Sequence, residues 1–161
     1  MICSVNKEQL SKDYITEALL QLMGKMDYDK ITITEITKKA GVNRVTFYRN
    51  FNSKDDIIKE CLLPYNPNKS NENGMFLILK YFSDNRNLIK LLYKSKCQHL
   101  LLEHILNNWN YDNEDNNIIA YTKSAWAYFI YGWANEWYLR GMKESPEDMM
   151  KIWECIQKEN H

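Results

Sequence analysis

The chain has 161 residues, 45% of them hydrophobic and 13% aromatic, which suits one large domain or two small ones and exceeds what a disordered chain carries. Acidic and basic residues balance at 21 each, so net charge argues for no class of charged partner. No apolar run approaches the roughly 20 residues of a spanning helix and no charged-then-apolar leader opens the sequence, so a cytoplasmic protein without a membrane partner is expected.

Glycine and proline are scarce (5 and 3), and no Asn-Gly or Asp-Gly pair sits between alternating apolar runs, so an all-α fold is expected. The first helix runs from about Lys7 to Met26, where Leu10, Tyr14, Ile15, Ala18, Leu19, Leu22 and Met26 recur at helical spacing and predict one buried stripe. A second starts at Thr32. "TITE" is a capping box in which the Thr32 hydroxyl accepts from the Glu35 N–H and the Glu35 carboxylate reaches back to the Thr32 N–H. That helix ends at Gly41, which can take the left-handed conformation and let the chain turn at once. Asn43 caps a third helix, Arg44 to Asn50, and Ser53 a fourth, Lys54 to about Leu63.

Residues 64–74, "PYNPNKSNENG", read as a linker between a module at 1–63 and another at 75–161. Helical stretches follow at about 75–84, 86–94, 96–109, 116–141 and 147–159, with the asparagine-rich "NWNYDNEDNN" as a loop. Ser145 is placed to cap the last helix, with Pro146 in its first turn. Cys61, Cys97 and Cys155 lie in apolar helical patterns and are expected to be buried and reduced, Cys3 to be an exposed tail residue. There is no compact cysteine and histidine cluster, and His99 and His104, five apart, share no helix face, so neither a metal nor another cofactor is expected. With no nucleophile and base pair or phosphate-cradling glycine loop, an enzyme is not expected either.

The chain has four arginines, and two of them fall in "AGVNRVTFYRNFNSK" at 40–54. Between Glu35 and Asp55 lie Lys38, Lys39, Arg44, Arg49 and Lys54 with no acid, a local +5 in a neutral chain. Two short helices joined by a tight glycine turn make a helix-turn-helix, whose second helix can enter the DNA major groove. At about 100° per residue, Phe47 and Phe51 fall on one side of that helix and Val45 and Arg49 opposite, flanked by Thr46 and Tyr48. The free face thus offers an arginine, a hydroxyl, a phenol and a valine suited to a thymine methyl, with Arg44 at the end that approaches bases.

Residues 13–61 resemble the DNA-binding domain of the tetracycline-repressor (TetR/AcrR) family, through Thr32, Ile36, the Ala40-Gly41-Val42 turn, Thr46, Tyr48, Phe51 and Lys54. The resemblance implies that Tyr48 and Lys54 contact phosphates while Arg44, Val45 and Thr46 face bases. The candidate DNA contacts are therefore Thr32, Thr34, Arg44, Val45, Thr46, Tyr48, Arg49 and Lys54. Two positions depart from the family's pattern. Thr37 replaces a usual alanine, and its hydroxyl is expected to bond its own helix; Val45 stands where glycine is frequent, so operator contacts do not transfer from a relative.

In the second module Trp126, Ile130, Trp133 and Trp137 recur as one face, widened by Tyr121, Tyr128, Tyr131 and Tyr138, and Met149, Ile152, Trp153 and Ile156 make a matching stripe. Such a face must be buried by the chain itself, a second copy or a ligand. The resemblance implies dimerisation through the last two helices and sensing of a small effector, here mostly apolar. Tyr121, Trp126, Phe129, Ile130, Trp133, Trp137, Met149, Trp153 and Ile156 are the candidates for the effector pocket or dimer interface. The ending "YGWANEWYLRGMKESPEDM" resembles the family's subgroup with short C-terminal modules, related to the dihydroxyacetone-kinase activator. The function so implied is a homodimeric, sequence-specific regulator of transcription, most often a repressor, with double-stranded operator DNA as partner. The alternative is a helical protein-interaction or co-regulator-binding module without small-molecule sensing.

Overall fold

The computed structural model describes residues 7–62, 74–108 and 116–159. Among them are nine α-helices and no strands: α1 (Lys7–Met23), α2 (Ile33–Ala40), α3 (Arg44–Asn50), α4 (Lys54–Cys61), α5 (Gly74–Asp84), α6 (Arg86–Lys94), α7 (His99–Asn108), α8 (Asn117–Leu139) and α9 (Pro146–Glu159). A short 3₁₀ turn, Tyr28–Lys30, precedes α2. The chain divides into two compact units, Met1–Leu63 with Leu91–Leu100, and Pro64–Lys90 with Leu101–His161. The linker expected at 64–74 lies outside the described residues except for Gly74, as do Cys3 and most of the asparagine-rich loop.

In the first unit α1 packs on α2, α3 and α4. Ile15, Leu19, Met23, Ile36, Phe47, Phe51, Ile57 and Ile58 are buried together, each contributing about 1.5–3 kcal/mol of apolar burial. The stripe on α1 is narrower than the periodicity suggested. Ile15, Ala18, Leu19 and Met23 are buried, whereas Leu10 and Tyr14 are exposed and Leu22 and Met26 only half-buried, because α2 to α4 pack on one side of the helix. Near its start the contact is polar, Lys12 Nζ bonding the Glu60 carboxylate of α4 at 3.0 Å. The helix also stops at Met23, where the chain turns into the 3₁₀ segment.

Residues 91–100 group with this unit, which a contiguous C-terminal module beginning at 75 does not anticipate. Hydrogen bonding explains it. The buried Ser95 hydroxyl donates to Met23 O at 3.1 Å and Met26 O at 3.2 Å, and Tyr28 N donates to Ser95 O at 2.8 Å. These bonds satisfy carbonyls stranded where α1 ends. Lys96 takes a left-handed conformation, φ 61°, which delays the start of α7 to His99 rather than 96. Burial pushes the neighbouring Cys97 thiol up to about 12 and Cys61, half-buried, to about 11. Cys155, expected inside, is exposed, since the inward side of α9 carries Met149 and no residue of the last turns.

In the second unit α5 packs against α9, and Leu79, Phe82, Ile89, Leu101, Ala127, Ile130, Ala134, Trp137, Met142 and Met149 are buried. His104 belongs to this core, stacked on Tyr81, whose hydroxyl lies 3.2 Å from its Nε2, with Asn108 Nδ2 at 2.9 Å. Gly141, φ 84°, ends α8, and Met142 N closes the turn on Trp137 O at 2.8 Å. Ser145 then caps α9, accepting from Asp148 N at 3.1 Å.

Candidate nucleic-acid interface

The two helices of the candidate motif are each stopped and started by their own side chains. At the head of α2 the Thr32 hydroxyl accepts from Glu35 N at 3.2 Å and donates to Glu35 Oε2 at 2.8 Å, which also takes the Thr32 N–H at 2.8 Å. Those bonds hold the exposed Glu35 carboxyl below its usual range. They also commit the Thr32 hydroxyl. Gly41 closes α2 at φ 69°, where a side chain would be strained, and Val42 N reaches Thr37 O at 3.0 Å. Asn43 Oδ1 then accepts from Thr46 N at 2.8 Å, starting α3 two residues after the turn.

Phe47 and Phe51 anchor α3, 0% and 4% exposed. The opposite face is open: Val45 is 67% and Tyr48 54% exposed, and Arg44 and Arg49 are exposed with them. Thr46 is half-buried. Tyr48 makes an edge contact with Phe47, centroids 5.4 Å apart, so its ring is steadied while the residue stays exposed. Arg44 Nη2 donates to Thr34 Oγ1, which joins the exposed starts of α2 and α3. Lys38 and Lys39, in the last turn of α2, are exposed as well. Thr37 is buried and its hydroxyl donates to Thr34 O at 3.1 Å, the bond to its own helix that was expected.

Lys54 is placed differently from its neighbours. Half-buried, it donates to Tyr28 O at 2.7 Å and Ile31 O at 3.1 Å, with its ammonium 4.2 Å from the Tyr28 ring centroid. The Tyr28 phenol, 2% exposed as a residue, donates to Asp55 Oδ1 at 2.6 Å. Burial, then Asp55, pushes that phenol far above its ordinary range. Tyr28, Asp55 and Ser95 were not singled out from the sequence. The signal for Tyr28 was an aromatic residue just ahead of the capping box; Asp55 and Ser95 carry none, because their partners are distant in the chain.

In the second unit the aromatic candidates separate into two sets. Ile130, Trp137 and Met149 are core residues. Trp126, Phe129, Trp133 and Trp153 instead form a cluster at the edge of α8 and α9, with centroids 5.4–6.4 Å apart. The expected single face through Trp126, Ile130, Trp133 and Trp137 is thus split, since the side of α8 most deeply covered carries the alanines Ala127 and Ala134. Tyr121, 77% exposed, stands outside both sets, and Ile156 is exposed. Gly132, Trp133, Trp137, Met149, Ile152 and Ile156 line a groove of about 460 Å³ rimmed by Glu136, Arg140 and Glu144.

Among known proteins, residues 15–61 match "Bacterial regulatory proteins, tetR family". The chain is 34% identical over 55 residues to an uncharacterized HTH-type transcriptional regulator, YvkB, of Bacillus subtilis (strain 168). That stretch is 34% of this chain and spans only 29% of the relative's length. Two solved structures share the fold. Lin0861 from Listeria innocua has a TM-score of 0.72 at 15% identity, over 100% of this chain and 97% of that one. A TetR transcriptional regulator from Streptococcus agalactiae 2603V has a TM-score of 0.62 at 22% identity, over 93% and 94% of the two chains.

Proposed function

From an N-terminal domain, residues 15–61, that belongs to the tetR family of bacterial regulatory proteins, we propose that the chain is a homodimeric, sequence-specific DNA-binding regulator of transcription, acting as a repressor. The observation that carries this reading is the two-faced α3, Phe47 and Phe51 buried beneath an uncovered row of Arg44, Val45, Tyr48 and Arg49. Lys38 and Lys39, exposed in the last turn of α2, add to a run of five basic residues with no acid between Glu35 and Asp55, the charge that a phosphate backbone attracts. Arg44 and Val45 face bases, Tyr48 and Arg49 take phosphates, and Thr34 and Thr46 serve as nearby hydroxyl partners. Selection of duplexes from a random pool tests this: a common motif repeated as two half-sites is the expected result, and recovery of no motif above background overturns the reading.

The homodimer forms through α8 and α9. Tyr121, Ala125, Tyr128, Gly132, Asn135 and Leu139 follow one another at alternating steps of four and three along α8, on the side opposite Ile130 and Trp137. Tyr121, Tyr128 and Leu139 are 56–77% exposed, and Gly132 has nothing within 4 Å of where a Cβ would stand. A 4-3 seam with a glycine at its middle suits the close approach of a second α8. A small apolar effector is the other occupant that the groove beside it suits, where the buried Trp137 indole N–H has no acceptor among the described residues. Tryptophan fluorescence during a ligand screen reports that reading, and sedimentation reports the dimer.

A further inference from the structure

Lys54 Nζ holds the carbonyl of the first residue of the 3₁₀ turn and that of the residue just after it, Tyr28 O at 2.7 Å and Ile31 O at 3.1 Å, with the Tyr28 ring centroid 4.2 Å away. An ammonium has three protons and no other way to bond. Two are in hydrogen bonds and the remaining charge faces an aromatic ring, so a phosphate would have to displace part of this set. Asp55, the next residue, takes the Tyr28 phenol at 2.6 Å. The first turn of α4 therefore grips both the backbone and the ring of a single buried residue. The segment so held runs directly into Thr32, the cap of α2, and two residues further Thr34 accepts from Arg44.

We propose that Lys54 is a positioning residue and not a phosphate contact: it fixes the Tyr28–Ile31 segment to α4 and thereby sets where the head of α2, and Arg44 through Thr34, is presented. The consequence for DNA rests on the DNA-binding reading above, but the strut itself is a property of the free protein. The first experiment uses the full chain without DNA. The Lys54 ammonium should give a slowly exchanging proton–nitrogen resonance, unlike the exposed Lys38 and Lys39, and Lys54→Met should speed amide exchange at Thr34 and Glu35 and lower the melting temperature by roughly 5–10 °C. An ammonium that exchanges as fast as those of Lys38 and Lys39 overturns the strut, and because this measurement needs no variant it stands even if Lys54→Met fails to fold.

The second experiment uses a duplex selected from a random pool, well below the melting temperature of each variant. Lys54→Met should lower affinity roughly ten-fold while leaving the slope of log K against log salt as in the wild type, whereas loss of a true phosphate contact removes about one unit per reading head. The wild-type ammonium resonance should not shift when that duplex is added. A slope reduced by about one unit per head, or a resonance that moves on binding, assigns Lys54 to phosphate; an unchanged affinity in a destabilised variant reduces it to a stability element. Both overturn the proposal. Should the wild type bind no selected duplex, the DNA reading falls while the free-protein measurement still decides the strut.

Discussion

Arg44 and Arg49 are five residues apart on one helix, and the proposed DNA reading gives them different work. Arg44 opens α3, the end that approaches base edges in helix-turn-helix docking, and its bond to Thr34 restrains the guanidinium in advance of any contact. Arg49 lies in the last turn, which on the proposed docking is the end nearer the phosphate backbone. Arg44→Ala should therefore cost about 1–3 kcal/mol per half-site on a selected duplex and leave a scrambled duplex nearly untouched. Arg49→Ala should weaken both duplexes and remove about one unit of salt slope per head. Salt titrations of each variant on both duplexes make the comparison; equal losses on both duplexes for Arg44→Ala would reduce it to a phosphate anchor. Val45, 67% exposed, offers only an apolar contact, so Val45→Gly should change which base is preferred more than it changes affinity.

Among the elements, α2 is set by its two ends more than by its length of eight residues, which is too short to hold a helix alone. Gly41→Ala should cost about 1–2 kcal/mol although the added methyl meets nothing within 4 Å, because the strain lies in φ 69° and not in space. The capping box adds a pH dependence with a defined sign. Glu35 is held ionised below its usual range by the Thr32 bonds, so its contribution is present at neutral pH and is lost as pH falls through the carboxylate range. Thermal melts of wild type and Glu35→Gln should differ at neutral pH and converge in acid; a difference that persists in acid places the effect elsewhere. These ends were legible in the sequence because caps and glycine turns are local, and so were the starts of α3, α4 and α9. Local patterns could not show which side of α1 is covered, that Ser95 returns to the end of α1, or that Lys54 is engaged by carbonyls at Tyr28 and Ile31. Those depend on partners 23 to 72 residues away in the chain. The aromatic content of α8 was equally plain, but the division of its tryptophans between core and edge was not, since it follows from which helices cover which side.

At the scale of the whole molecule, a test of the proposed dimer has to separate residues that hold the unit together from residues that would meet a second copy. Trp137 is 2% exposed and lies against the Arg86 guanidinium at 5.6 Å within its own chain, so Trp137→Glu should unfold the C-terminal unit and says nothing about assembly. Tyr128 is 56% exposed and Gly132 open, so changes there test the seam with the fold intact. In an antiparallel pair of α8 helices crossing at Gly132, positions whose numbers are equally far from 132 on either side face each other. Ala125 of one copy then meets Leu139 of the other, small against large, and the Tyr128 hydroxyl can donate to Glu136, whose carboxylate is paired with Arg140 at 2.8 Å. Tyr128→Glu should therefore place carboxylates together near the two-fold axis and give a folded monomer, since like charges set close together in a desolvated contact are unfavourable. Gly132→Ala should raise the stability of the isolated helix by roughly 0.8–1.0 kcal/mol through helix propensity while weakening association, because the two methyls meet at the crossing. Sedimentation and circular dichroism, taken together on the same samples, read both effects. A wild type that is monomeric at micromolar concentration removes the dimer, and a Tyr128→Glu variant that remains dimeric moves the contact off this face of α8 and onto the groove lined by Ile152 and Ile156.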